Sequence, residues 1–289
     1  MGRTALQWLL ALGLFGCLNA HAASPVWAIR GAHNTVYLAG SIHLLPSGDT
    51  ALPPAFDRAY ADSAKLVMEI DLGKFDPLEA SVWMLEQGTL PPGLKLRQVL
   101  GEARYLRVTG AAASLGLAAA GLDTQAPWMV GIELTEAAYT HEGFDPEAGV
   151  EDQLVRRAQA DGKATAGLET LPEELGGLIA LSREDQVRML DETLDELKDI
   201  KSEMADIVTA WRGGDAARLA TLLSSEYKAF PALYRPLVLE RNERWLPQIE
   251  QLLHAQQNCM VVVGSLHLVG EGGLLEQLRK RGYTARQLN

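Results

Sequence analysis

The chain has 289 residues, 47% of them hydrophobic, with 26 Lys and Arg against 37 Asp and Glu and a formal net charge of -11. That length buries a substantial core, as one large domain or two small ones. The acidic balance repels polyanions, which argues against nucleic-acid binding and against a general affinity for acidic membrane surfaces.

At the N-terminus, Arg3 precedes an apolar run from Ala5 to Leu18 and a small-x-small site, Ala20-His-Ala22. This reads as an export signal cleaved after Ala22, which predicts a periplasmic protein whose mature part, residues 23–289, is one domain. The run is short for a membrane span and lacks a stop-transfer pattern, so no transmembrane span is expected in the mature chain. A lipoprotein box ending at Cys17 ranks second, because Phe15 is bulkier than the small residue usual there. Removing the signal leaves Cys259 as the sole thiol, so neither an intrachain disulfide nor a Cys-based zinc site is expected. Cys259 itself reads as a small buried apolar side chain.

Val26–Arg30 and Thr35–Ala39 are β-prone runs separated by Gly31-Ala-His-Asn34, a hairpin pattern that leaves His33 in a surface turn. The second run ends at Gly40, and Ser41 and His43 follow beyond the strand. Pro53-Pro54 opens a short helix to about Ser63, and Lys65–Asp71 reads as the next strand. Glu69 lies inside that strand. A central strand would oblige Glu69 to find a cation or a donor, whereas an edge strand would let it face water.

From Pro77 to about Gly143 the pattern is helical, with Trp128 expected as a core anchor. A further helix ends near Gly162, and Lys163–Leu168 reads as a weak strand that delivers Glu169 to its carboxyl end. Open α/β sheets bind ligands at such ends; the competing role for Glu169 is a cap on the helix that follows. Apolar residues at three-four spacing, from Val187 to Trp211, predict one long amphipathic helix over 183–211, whose acidic face reads as solvated surface. Another helix is predicted over 236–256, then the strand Met260–Val263, a helix over 274–280 and a short last strand over 283–288. This order predicts a mixed central sheet flanked by helices, with a large helical insertion.

The chemistry rests on a repeat. Gly40-Ser-Ile-His43 and Gly264-Ser-Leu-His267 each follow an apolar strand, over two hundred residues apart. One Gly-Ser-x-His is a weak signal, and two in the same frame suggest one site built from both ends of the chain. His43, His267 and Glu69, with Glu169 nearby, supply the nitrogen and oxygen donors of a divalent-metal site able to activate water. The same histidines could instead serve as general base and general acid. Ser41 and Ser265 read as groups that hydrogen-bond around the site. No Walker loop, dinucleotide fingerprint, nucleophile elbow or His-Glu-x-x-His pattern is present.

Tyr37–His43, Met68-Glu-Ile-Asp71, Gly167-Leu-Glu-Thr170, Glu240-Arg-Asn242 with Trp245, and Val263–His267 together resemble the TraB/GumN family, related to Tiki metalloproteases and pheromone-shutdown proteins. The resemblance implies an EreA/ChaN-like fold and a metal-dependent peptidase acting on a peptide or protein, with Mn or Co as the metal and Zn as a further candidate. It points to His43 and His267 as the motif histidines, Glu69 as the acidic partner, and Glu169, Arg241 and Asn242 as further site residues. Arg241 would stabilise an oxyanion, and Asn242 would orient a ligand or a substrate amide. Where the family commonly has isoleucine and aspartate after a glycine, this chain has Gly149-Val-Glu151. Two alternatives stay open: a non-enzymatic haem- or ligand-binding protein or envelope-polysaccharide accessory factor using the same cleft, and a metal-free esterase.

Overall fold

Val26–Arg30 (β1) and Thr35–Ser41 (β2) pair antiparallel across the expected turn. They are followed by Leu45–Pro46 (β3), Lys65–Met68 (β4), Phe144–Asp145 (β5), Ala164–Gly167 (β6), Cys259–Gly264 (β7) and Ala285–Gln287 (β8). This is a computed structural model, and it describes residues 23–229 and 231–289. The expected signal and the Cys17 lipoprotein box lie outside the described residues. Among those described, no helix is long and apolar enough to cross a membrane.

Six strands form one mixed sheet in the order β6-β4-β7-β2-β1-β8. β6, β4, β7 and β2 run parallel, and β1 is antiparallel to both of its neighbours. β7 is in the middle. Its Cys-Met-Val-Val-Val run is buried throughout, as expected of a strand covered on both faces. β4 lies between β6 and β7, so Glu69, one residue past its end, emerges from the sheet interior rather than from an edge. The carboxyl ends of β2, β4, β6 and β7 share one rim, and the motif residues lie on it.

Helices cover this α/β sheet. A second apolar cluster lies apart from the sheet, built around Leu96, Val108, Trp128, Leu134, Leu190 and Leu194 from the predicted helical insertion. It explains one departure from expectation. The predicted long helix over 183–211 is two helices, Arg183–Glu196 and Ile200–Arg212. Leu190 and Leu194 belong to the insertion core, while Met204, Ile207, Val208 and Trp211 belong to the sheet core, and one straight helix cannot serve both. A second departure is the helix predicted over 236–256, which is a π turn, Arg235–Leu239, running into the α-helix Glu240–Leu253. Pro236, with no N–H to give an α ladder, lies in the wider turn. The small β3–β5 pair was not expected; it ties the chain just after His43 to the chain that enters the helix Val150–Asp161.

Candidate functional site

The two motif histidines reach the rim by different routes. His43 follows β2 by two residues in a loop, its side chain 61% exposed, and its Nδ1 lies 2.9 Å from Oε1 of Glu151. The same oxygen accepts from Ser41 Oγ at 2.5 Å. His267 lies on a short helix, Ser265–Leu268, directly after β7, and is buried. Its Nδ1 is 2.8 Å from Oδ1 of Asn242, and the indole of Trp245 lies against its ring at 4.5 Å between centroids. Asn242 is fully buried, and its amide nitrogen donates to the carbonyls of His267 and Gly272 at 3.2 and 3.1 Å. Its oxygen is thereby left to receive the His267 Nδ1–H. Each histidine thus has Nδ1 held from behind and Nε2 directed inward, an arrangement typical of imidazoles that serve as ligands or proton carriers.

Glu69 stands between them. Its Oε1 accepts the Gly264 N–H at 2.6 Å, and its Oε2 accepts from Nη2 of Arg241. A Cβ added to Gly264 would lie 3.3 Å from Glu69 Oε1 and 3.7 Å from both His43 Nε2 and His267 Cδ2. His43, Glu69 and His267 therefore converge on one point over Gly264. Gly40 and the serines frame it: the Gly40 carbonyl accepts from Trp211 Nε1 at 2.7 Å, and Ser265 Oγ donates to the Ser41 carbonyl at 2.9 Å.

Behind Glu69 is a buried charge cluster. Arg241 donates through Nε to Glu169 Oε1 at 2.7 Å, and its Nη2 lies 2.5 Å from the same oxygen and 3.7 Å from Glu174. Its Nη1 lies 3.2 Å from Nε2 of His267 and 3.3 Å from the carbonyl of Leu237. Arg244 holds the other oxygen of Glu169 at 3.1 Å. Glu169 does not cap the next helix; Thr170 does, in a capping box with Glu173.

The electrostatics follow from these contacts. Burial opposes ionisation of Glu69, and the Arg241 charge and the Gly264 N–H outweigh it, holding the carboxyl below the usual range. Burial pushes His267 down to about 3, so its ring is neutral near pH 7 with Nδ1–H toward Asn242. The Glu151 carboxylate beside it raises the pKa of His43. Burial, reinforced by the charge of Glu69, pushes Glu174 up to about 7, a carboxyl able to exchange a proton near neutrality.

His43, Glu69, Glu174, Arg241 and His267 line a cavity of about 350 Å³ together with apolar side chains that include Leu178, Met204, Ile207 and Leu237. An adjoining cleft of about 540 Å³ shares His43, Leu44, Tyr139, Glu174, Leu178 and Leu237 with it and runs outward between the insertion helices.

The family model described as TraB/PrgY/gumN matches residues 25–287, from β1 to the last residue of β8. The chain belongs to the TraB/PrgY/gumN family. It is similar to the protein YbaP of Escherichia coli K12, 23% identical over 273 residues, spanning 90% of this chain and 98% of that protein. It also resembles a Treponema pallidum protein, 27% identical over 297 residues, spanning 94% of this chain and 85% of that one. Neither name assigns an activity. No solved structure matches.

Within this TraB/PrgY/gumN chain, the geometry brings together every residue singled out from the sequence: His43, Glu69, Glu169, Arg241, Asn242 and His267, framed by Gly40, Ser41, Gly264 and Ser265. It adds Glu174, which carries no strand-end signal because it lies inside the helix Leu171–Ile179. It also gives Glu151 a role, as the carboxylate that holds both Ser41 and His43. The position of Glu151 after Gly149 had pointed to it only as an altered family residue.

By chemistry, two imidazole Nε2 atoms and a carboxylate fit a divalent ion such as Mn, Co or Zn. Among the described residues, no three His, Cys, Asp or Glu side chains stand in metal-holding geometry. The Arg241 guanidinium contacts both Glu69 and His267.

Proposed function

We propose that the protein is an exported, metal-dependent hydrolase that cleaves a peptide bond. The observation that carries this reading is the approach of His43, Glu69 and His267 to one another over Gly264, with both Nδ1 atoms held so that both Nε2 atoms are left to other partners. A divalent ion held by these three would supply Lewis-acid polarisation of a carbonyl and of a water. The chain's own groups do the rest. Glu151 and Asn242 orient the two rings. The Arg241 guanidinium lines the cavity, where it can donate to an oxyanion. Glu174, titrating near neutrality, can take and return a proton. The cavity and its adjoining cleft share six lining residues and together offer room for a substrate beside the three side chains. Localisation to the periplasm rests on the N-terminal sequence.

The purified protein is expected to bind about one Mn or Co per chain, and His43→Ala or His267→Ala to abolish both the metal and the cleavage of a mixed-sequence peptide library. Equal metal content in wild type and both variants would remove the site assignment. A second reading has one observation in its favour. Because Arg241 already satisfies Glu69 and His267, the site is electrostatically complete without an ion, and a metal-free esterase would show hydrolysis that chelators leave unchanged.

A further inference from the structure

We infer that Arg241 occupies the cation's place in this site, so that its guanidinium and a divalent ion compete for Glu69 and His267. The inference rests on the metal-site reading above and concerns what that reading leaves unexplained, a buried arginine amid the donors.

The contacts are those of a cation in a ligand set. Nη2 meets Oε2 of Glu69, and Nη1 meets the Nε2 lone pair of a neutral His267 at 3.2 Å. Asn242 on Nδ1 fixes which ring nitrogen carries that lone pair. Arginine stays protonated at any working pH, so it fills the position as a permanent charge. It is also held by further carboxylates. Glu169 holds Nε and Nη2 at 2.7 and 2.5 Å, and Glu174 lies 3.7 Å away. These carboxylates keep the guanidinium charge compensated whether or not Glu69 remains its partner. The π turn directly before the helix that bears Arg241 is a feature often found where a helix serves a functional site. An ion that binds must take His267 Nε2 from Arg241 and share the Glu69 carboxylate with it, which weakens its apparent affinity and makes loading depend on where the guanidinium rests. Arg241 is thus a positioning residue for the metal.

The test is titration of the purified full-length protein with MnCl2, by calorimetry and by loss of the free Mn signal in electron paramagnetic resonance. It uses wild type, Arg241→Gln, and the charge-balanced Arg241→Gln/Glu169→Gln. The double variant guards against misfolding from unpaired buried carboxylates, and near-UV circular dichroism establishes that each variant is folded. The expected result is one Mn per chain with an apparent Kd at least about ten-fold lower in the variants, abolished by adding His267→Ala. Wild type binding Mn as tightly as the folded variants, or more tightly, overturns the competition and leaves the metal-site reading standing. If wild type and both variants all fail to bind Mn, the metal-site reading itself fails and the inference with it.

Discussion

Asn242→Leu tests how strictly the site fixes its second histidine. The substitution keeps the approximate volume of a fully buried side chain and removes three hydrogen bonds, to His267 Nδ1, the His267 carbonyl and the Gly272 carbonyl. Gly272 keeps a partner, since Gln277 Nε2 also donates to its carbonyl at 2.8 Å. His267 has no such relief. Moving its proton to Nε2 would set an N–H against Nη1 of Arg241, itself a donor, so the ring cannot escape through its other tautomer. One buried N–H is orphaned and one carbonyl loses a donor, at roughly 1–3 kcal/mol per unsatisfied group, or about 2–6 kcal/mol in total. For a chain of this size that lowers the melting temperature by about 4–24 °C. Urea and thermal melts measure the loss, and ¹⁵N-detected imidazole spectra report the ring. Asn242→Asp restores the acceptor for His267 Nδ1 and should draw His267 toward its protonated form. Its second oxygen meets the carbonyls of His267 and Gly272, so the ring orientation is recovered and the full stability is not. A loss under about 0.5 kcal/mol with an unchanged ring spectrum would refute the reasoning.

Trp211→Phe removes the indole donor to the Gly40 carbonyl and should cost about 1–3 kcal/mol, read by urea denaturation. Burial pushes the Cys259 thiol up to about 11, so it should resist Ellman's reagent at about pH 8 and react stoichiometrically once the fold is lost; fast native labelling would contradict the buried start of β7. Between about pH 5 and 6.5, two groups act on stability in opposite senses. His267, at about 3 in the fold, refuses a proton that the unfolded chain takes below about 6.5, so it costs stability as pH falls. Glu174, at about 7, binds a proton that an unfolded glutamate leaves off above about 4.3, so it adds stability as pH falls. Glu174→Gln should therefore lose about 1.4 kcal/mol per pH unit on acidification through this window relative to a flatter wild type, and equal slopes in urea melts would refute the pairing.

The parts of this molecule that were readable from the sequence are those where a local pattern and a tertiary need coincide. The Gly-Ser-x-His repeat was visible because strand ends punctuate strongly and because a parallel sheet gathers its carboxyl ends on one rim. Glu69 was ambiguous only because edge and centre look alike in a short apolar run; its burial against Arg241 follows from β7 pairing with β4, a contact nearly two hundred residues distant. Glu151 and Glu174 were harder, since acids inside helices are ordinarily solvated and nothing local distinguishes one that turns inward. The split of the helix over 183–211 was hidden for a related reason. Its apolar spacing is continuous, and only the existence of two cores makes a straight helix untenable.

β7 has a bearing on how the molecule assembles. It is the last long strand in the chain and the central one in the sheet, and β2 and β4 meet only through it. Until residue 264 is available, the β1–β2 hairpin and the β4–β6 pair are separate two-stranded pieces, and such pieces have little stability of their own. Closing them means bringing together segments about two hundred residues apart, a slow and late step for a topology of this kind. Glu69 gains the Gly264 N–H as a donor at the same moment. The Glu69 carboxylate is therefore fully partnered only once β7 is in place.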